Sequence, residues 1–551
     1  MHISRDQVSR RRALQAGAVG VVGVSVRRSH GASEFVLSAE HRTAVNRIRR
    51  IVVQYDSQTA YGVNLERWID YRCAYIDEPG SQIDSVFLDM GRLGQVLYPS
   101  KFLDPLVNAD FQKWRAQGID VVERQVAEFK KRGLEVFWNH RVSEVDLNVK
   151  GTGAAWKDKP APLKKAHPDW VLDTPWWRHG LWNFSVPAVR EHTVKALREV
   201  AEMYDLDGLQ LDFARHVPCL PVGRQWELRG HVTELMRLAR RMMLDIARKR
   251  GRPLLLAAKV PRNLDGCRID GFDIEVWAKE NLVDVLTLGS RSLDIDLAGY
   301  RRLTAKSHIK LLPCFDDHHA TDGYRYAPIE VLRGVFANWW QQGADGVSTF
   351  NWSNAPPELC RQMAQRPGPL THQMAYHEVG NPATMLNKDK TFVVERQGGY
   401  PWATGFFNRN DTAPLPRPVS REEPLLLNIA DDLPQQATKV KRLFLRAIIF
   451  GAKQDDAFDA TLNGVVLKAT IHERDWKDPQ IFSPKPQPAS GGKGAYRVNS
   501  SQKLLRVEFA VEPQACRVGG NHASIQLREP THHSTARPPQ LEKLELHVQY
   551  S

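Results

Sequence analysis

The chain has 551 residues, with 42% apolar and 25% charged residues, an ordinary globular mix that excludes a disordered or collagen-like polypeptide. Its mean hydropathy is −0.43, and no run approaches the ~20 apolar residues of a membrane-spanning helix. The net charge of +13 invites a nucleic-acid reading, but residues 1–32 alone hold six Arg and one Asp, and the remaining excess is spread thinly. A nucleic-acid binder concentrates its basic residues in a stripe; here pairs such as Lys164-Lys165 and Arg240-Arg241 read as solvated helix faces.

Residues 1–32 come first. Arg10-Arg11-Arg12 precedes a weakly apolar segment, Ala16 to Val26, closed by Arg27-Arg28. This is the layout of a twin-arginine export signal, so a periplasmic or extracellular location is expected. Ala13 and His30-Gly31-Ala32 depart from the usual signal and cleavage pattern.

From residue 40 to 375, short β-branched runs alternate with amphipathic segments. Eight strands are predicted: Ile51–Tyr55, Ser85–Asp89, Leu134–Asn139, Gly208–Asp212, Leu254–Lys259, Val283–Leu288, Ile309–Phe315 and Gly346–Asn351. Eight such runs with helices between them predict a (β/α)8 barrel of the α/β class. Asn183 to Pro187 reads as a helix start, with Val189, Ala196, Leu197 and Val200 following at helical spacing.

Beyond residue 390 the pattern changes to short strands between polar turns. Leu443–Ile449, Phe458–Leu462, Val465–Thr470, Leu504–Val511, Ala523–Leu527 and Leu544–Val548 predict an antiparallel β-sandwich of jelly-roll type over 390–551. Pro484 to Lys493 reads as a loop within it. The six cysteines form no metal-ligand spacing and are expected mostly as buried thiols, with one or two disulfides open to an exported chain.

In a (β/α)8 barrel the C-terminal strand ends carry the chemistry. Here they read Tyr55, Asp89, Asn139-His140-Arg141, Asp212 followed by Arg215 and His216, Lys259, Asp316-Asp317, and Asn351-Trp352. These predict a polar cleft with acid/base capacity. Asp212 is the sharpest candidate. Asp207, just before Gly208, reads as a structural residue at the turn into the strand.

Three stretches carry a family resemblance. The first is Asn183 to Asp212, with Pro187-Ala188-Val189-Arg190 and Tyr204-Asp205-Leu206-Asp207-Gly208. The others are Gly271-Phe272-Asp273-Ile274-Glu275-Val276-Trp277 through Val283-Asp284, and Gly343-Ala344-Asp345-Gly346-Val347 through Phe350-Asn351. Together they resemble the glycosyl-hydrolase-like-ten family of bacterial exported barrels, within the glycoside-hydrolase barrel superfamily. The resemblance implies hydrolysis of a poly- or oligosaccharide, with Asp212 as nucleophile or stabiliser of an oxocarbenium-like transition state. The family pattern usually shows two consecutive acidic residues after strand four; here Phe213 follows Asp212.

Glycoside hydrolysis needs a second carboxylate, and Asp316, Asp317, Glu275 and Asp89 are the candidates. Strand alternation aims only one of Asp316 and Asp317 inward. Trp176 and Trp177, with Trp170, Trp182 and Trp352, supply flat faces for sugar rings. Tyr55, Asp89, Asn139, His140, Arg141, Arg215, His216, Lys259 and Asn351 are the expected polar contacts. The basic excess suits an anionic glycan, uronic or sulfated. No metal is expected, since adjacent residues seldom converge on one ion and no HxH pair occurs, and no phosphate cofactor, since neither a Walker A pattern nor a GxGxxG turn occurs. Three alternatives stay open: a non-catalytic carbohydrate-binding barrel, a metal-dependent hydrolase built on Asp316, Asp317, His318, His319, His140 and His216, and a Schiff-base enzyme using Lys259.

Overall fold

Eight parallel strands close a barrel in the computed structural model, which describes residues 35–55, 62–106, 108–143, 160–174, 179–213, 217–289, 292–316, 324, 326–363, 368, 370–396, 413–419, 423–479, 503–528 and 538–551. The strands are β1 (Ile51–Tyr55), β2 (Ile83–Gly91), β3 (Glu135–Arg141), β4 (Gly208–Asp212), β5 (Leu255–Val260), β6 (Val285–Leu288), β7 (Lys310–Asp316) and β8 (Val347–Phe350). They neighbour one another in chain order, and β1 closes the ring against β8 through Ile51↔Val347. Each observed strand overlaps its predicted run. The export segment and the Pro484–Lys493 loop lie outside the described residues.

Almost every strand residue is buried, as expected for a sheet covered by helices on one face and filled by its own side chains on the other. Alternation sorts the two faces. Val52, Phe87, Phe137, Leu255, Ala257, Val285 and Leu312 point inward and pack together. Val53, Val86, Val136, Leu209, Leu256 and Leu286 point outward and join the helices in the larger core. Gly208 is glycine for a packing reason: a Cβ there would lie 2.2 Å from the Phe137 ring inside the barrel.

The N-terminal end of the barrel is fastened by a recurring aspartate. Asp84, Asp207, Asp284 and Asp345 stand at the entrances of β2, β4, β6 and β8. Each accepts a backbone N–H from the preceding strand: Arg50, Val136, Leu256 and Leu311 respectively, at 2.7–2.9 Å. Each is also paired with a cation, respectively Arg50, Lys130, Arg240 and Arg301. Asp284 is the most enclosed. Arg240 binds it through both guanidinium nitrogens, and His41 and His308 approach its Oδ1 at 2.9 and 2.8 Å. Asp207 therefore has the structural role read from its place before Gly208. The aspartates of the other two resembling segments, Asp284 and Asp345, are likewise barrel fasteners.

The C-terminal region forms an antiparallel, nearly closed sheet with its own core. Its strands are β9 (Lys390–Val393), β10 (Arg417–Pro418), β11 (Leu425–Ile429), β12 (Val440–Phe450), β13 (Phe458–Leu462), β14 (Val465–Trp476), β15 (Leu504–Ala510), β16 (Gly519–Leu527) and β17 (Gln540–Tyr550). The long β14 pairs with β13 at its start and with β15 beyond, linking the two layers. Strands β9 to β11 were not anticipated; β9 has four residues and β10 is two residues ending in Pro418. All six cysteines are buried and unpaired, so no disulfide contributes.

The two regions meet along the helix Ile329–Gln341. Gly334 lets it lie against β9: a Cβ there would come 2.2 Å from the Thr391 carbonyl oxygen. Higher up, the contact reaches the loops that leave the barrel strands. Tyr324 donates to Glu545 at 2.8 Å, and Arg262 and Ser292 both donate to Glu395.

Candidate active site

The last inward side chains of the strands make a polar layer at the C-terminal end of the barrel. β1 contributes Gln54, β2 Asp89, β3 Asn139 and Arg141, β4 Gln210 and Asp212, β5 Lys259, β6 Thr287 and β7 Asp316. All are buried.

Six of these groups, Thr287, Gln210, Asn139, Asp212, Gln54 and Lys259, form one oriented hydrogen-bond chain. Thr287 donates to Gln210 Oε1 at 2.7 Å, and Gln210 Nε2 donates to Asn139 Oδ1 at 2.7 Å. Asn139 Nδ2 donates to Asp212 Oδ2 at 3.2 Å. From the other side, Lys259 Nζ donates to Gln54 Oε1 and Gln54 Nε2 donates to Asp212 Oδ2, both at 3.0 Å. An ammonium can only donate, so it fixes the Gln54 amide with its N–H towards Asp212. Asp212 Oδ2 is thereby an acceptor from two side chains.

Asp89 is placed differently. Arg141 grips it with Nε at 2.9 Å and a terminal nitrogen at 2.6 Å, an ion pair closed off from water. That removes Asp89 and Arg141 from the candidates for free acid, base or substrate contact. Asp316 closes β7 on the inside, and Asn351 donates to its Oδ1 at 3.0 Å. Asn351 reaches it because its backbone is left-handed, with φ 59°, a conformation Asn tolerates better than most residues. β4 and β7 stand three strands apart around the closed ring, and Asp212 and Asp316 each end their strand on the inward side.

Three expected contacts point the other way, Tyr55 and His140 by alternation and Trp352 beyond the left-handed Asn351, where the alternation is broken. Tyr55 follows inward Gln54 and so faces the helices: its ring stacks on Phe129 and its hydroxyl donates to the Arg72 carbonyl oxygen. His140 lies between inward Asn139 and Arg141. Burial, aided by Arg92, lowers its pKa to about 3, which keeps it neutral. Trp352 packs among Phe315, Phe336 and His372 and donates to the Phe315 carbonyl oxygen. These three are core residues, not cleft residues. Glu275 is exposed on the outer helix Ile274–Lys279 and belongs to no described cluster with Asp212. Trp182 is buried beneath Lys164, and Trp170 stacks on His167. Arg215, His216, Asp317, His318, His319, Trp176 and Trp177 lie outside the described residues. Among the described residues, no group of three or more His, Cys, Asp or Glu could hold a metal ion.

Gln54, Gln210 and Thr287 were missed from the sequence. The signal was available: each lies two residues after an inward apolar or glycine position on its strand, Val52, Gly208 and Val285.

Residues 55–219, less than a third of the chain, match the model of the family described as "Glycosyl hydrolase-like 10". The stretch from Asn183 to Asp212 falls inside the match; the two later resembling segments lie beyond it. No curated protein matches the chain. Among solved structures, the α-L-fucosidase isoenzyme 2 from Paenibacillus thiaminolyticus is similar at 14% identity, over 63% of this chain and 52% of that one, with a TM-score of 0.39. The PgaB (BpsB) glycoside hydrolase domain from Bordetella bronchiseptica gives 12% identity, 61% and 99% coverage and 0.37. The GH36 α-galactosidase AgaB from Geobacillus stearothermophilus gives 13%, 84% and 56%, and 0.35. The chain thus spans about half the length of the fucosidase and the galactosidase.

Proposed function

We propose that this glycoside-hydrolase-like barrel hydrolyses glycosidic bonds of a poly- or oligosaccharide, with Asp212 and Asp316 as the working pair. The observation that supports this most is the fate of the inward carboxylates at the mouth. Asp89 is paired with Arg141, and Asp212 and Asp316 are the other carboxylates that end inward on the described barrel strands. A glycosidase needs two such groups flanking the scissile bond.

Asp212 Oδ2 receives two amide N–H groups, which suits a carboxylate that attacks or stabilises the anomeric carbon. Asp316 has the Asn351 amide on Oδ1 and takes the role of acid. In the reaction, the bond from the anomeric carbon to the leaving oxygen breaks, and that oxygen takes the proton held by Asp316. Water supplies the hydroxyl to the anomeric carbon and returns a proton to the enzyme. The segment 1–32 fits an exported enzyme meeting its glycan outside the cytoplasm.

A glycan-library screen of wild type, Asp212→Asn and Asp316→Asn tests the reading. Each substitution should reduce kcat by about 10³-fold or more on any glycan the wild type cleaves. Undiminished cleavage by Asp212→Asn overturns the assignment. Wild-type binding of glycans without cleavage favours the non-catalytic carbohydrate-binding barrel.

A further inference from the structure

The geometry points to Lys259 as the recognition site for an acidic substituent, a carboxylate or sulfate ester, on the sugar bound beside Asp212. The inference rests on the hydrolase reading and names its substrate class.

Lys259 is 1% exposed, so its ammonium has lost its water shell. Other cations buried within the barrel wall have regained a counter-charge: Arg49 is bonded to Glu135 at 2.6 Å and Arg141 to Asp89 at 2.6 Å. Lys259 has not. Its contacts among the described residues are the neutral Gln54 oxygen at 3.0 Å and the face of Phe350 at 4.2 Å, with the Cys314 thiol also in reach. No carboxylate oxygen of the described residues lies within 4 Å of it.

This is not for want of an acid next door. Asp212 and Lys259 are direct Cα partners on adjacent strands, the register in which an Asp–Lys pair closes readily. Gln54 prevents it by standing between them, with its oxygen on the ammonium and its nitrogen on the carboxylate. The amide keeps the ammonium off Asp212, so Lys259 is not neutralised by it and can take a second anion. A neutral sugar would offer the ammonium only hydroxyl oxygens, whereas a uronate or sulfate would return the charge lost on burial. Gln54 is in this scheme a positioning residue, and Lys259 a specificity-determining one.

The experiment compares wild type, Lys259→Met and Lys259→Arg on three substrate sets: uronic oligosaccharides, the same oligosaccharides with carboxyls reduced to alcohols, and sulfated oligosaccharides. Circular dichroism confirms that each variant is folded. Wild type should prefer one acidic set over its neutral counterpart. Lys259→Met should reduce that preference by about 10- to 100-fold, and Lys259→Arg should retain more of it. The set preferred identifies carboxylate or sulfate. Cleavage confined to neutral glycans, or equal loss on acidic and neutral substrates, overturns the inference and leaves the hydrolase standing. Should no glycan be cleaved, the hydrolase reading fails, and thermal-shift titration of wild type with the same sets decides the inference. Protection by an acidic set alone supports it; equal protection, or none, overturns it.

Discussion

Replacing Glu395 by Gln would reveal how the seam between barrel and sandwich is held. Glu395 follows β9 and reaches back to the loops after β5 and β6, where it accepts from Arg262 at 2.5 Å and from Ser292 at 2.7 Å. It is 4% exposed, and burial raises its pKa from 4.5 to about 7, overcoming the opposing pull of Arg262. The folded protein therefore keeps a proton that the unfolded chain releases. The stabilisation is complete below about pH 4.5 and is lost as pH rises through about 7. The slope is about 1.4 kcal/mol per pH unit and the total about 3 kcal/mol. The neutral amide of Glu395→Gln could not ionise and would carry no such slope. Urea denaturation of both proteins between about pH 4.5 and 8 gives the difference directly. Subtraction cancels other groups, including Asp270, whose burial also raises its pKa. The variant should gain on wild type as pH rises and level off above about pH 7. Parallel profiles across the whole range would refute the argument, because Glu395 would then titrate alike in both states.

Three further perturbations follow from the same structure. Asp284→Ala leaves the fully buried Arg240 without its partner and orphans the Leu256 N–H; a loss of about 3–5 kcal/mol in urea-measured stability is expected, and a loss below about 1 kcal/mol would show that the fastener is not under tension. Gly334→Ala puts a methyl against the Thr391 carbonyl oxygen; about 1–3 kcal/mol of overpacking should loosen the seam, read as faster limited proteolysis between the two regions, and an unchanged digestion rate counts against that contact. Asp270 is buried with neither oxygen hydrogen-bonded, and burial raises its pKa, so it contributes stability that is present below about pH 4 and declines as pH rises; Asp270→Asn should flatten that decline, and an unaltered profile above about pH 4 would contradict the placement.

The barrel was legible because its strands are apolar on both faces and separated by helical periodicity, so the eight runs stood out without knowledge of their pairing. Strands β9 to β11 lacked that contrast: Lys390–Val393 has four residues, and Arg417–Pro418 carries a proline that cannot donate to a ladder. The place of Asp212 at the end of β4 was legible because it closes the run Gly208–Asp212. The ion pair between Asp89 and Arg141 was not, because the two residues are 52 positions apart and only the closed sheet brings them together.

Tyr55 and His140 were misplaced for one cause. Choosing the last residue of each strand selects a position, whereas the pleat selects a side. Tyr55 is the terminal residue of β1, yet Gln54 before it is the one that faces the axis. His140 stands between two inward residues and is therefore outward. Counting by twos from the apolar interior layer, Val52, Phe87, Phe137 and Leu312 lead to Gln54, Asp89, Asn139 and Cys314, and one further step reaches Arg141 and Asp316. The same count from Gly208, which leaves room for Phe137, gives Gln210 and Asp212. The residues that hold the oriented chain around Asp212 lie on this inward series. The chemistry of the mouth thus follows from packing below it: the apolar layer fixes which parity faces inward, and that parity decides which polar side chains meet.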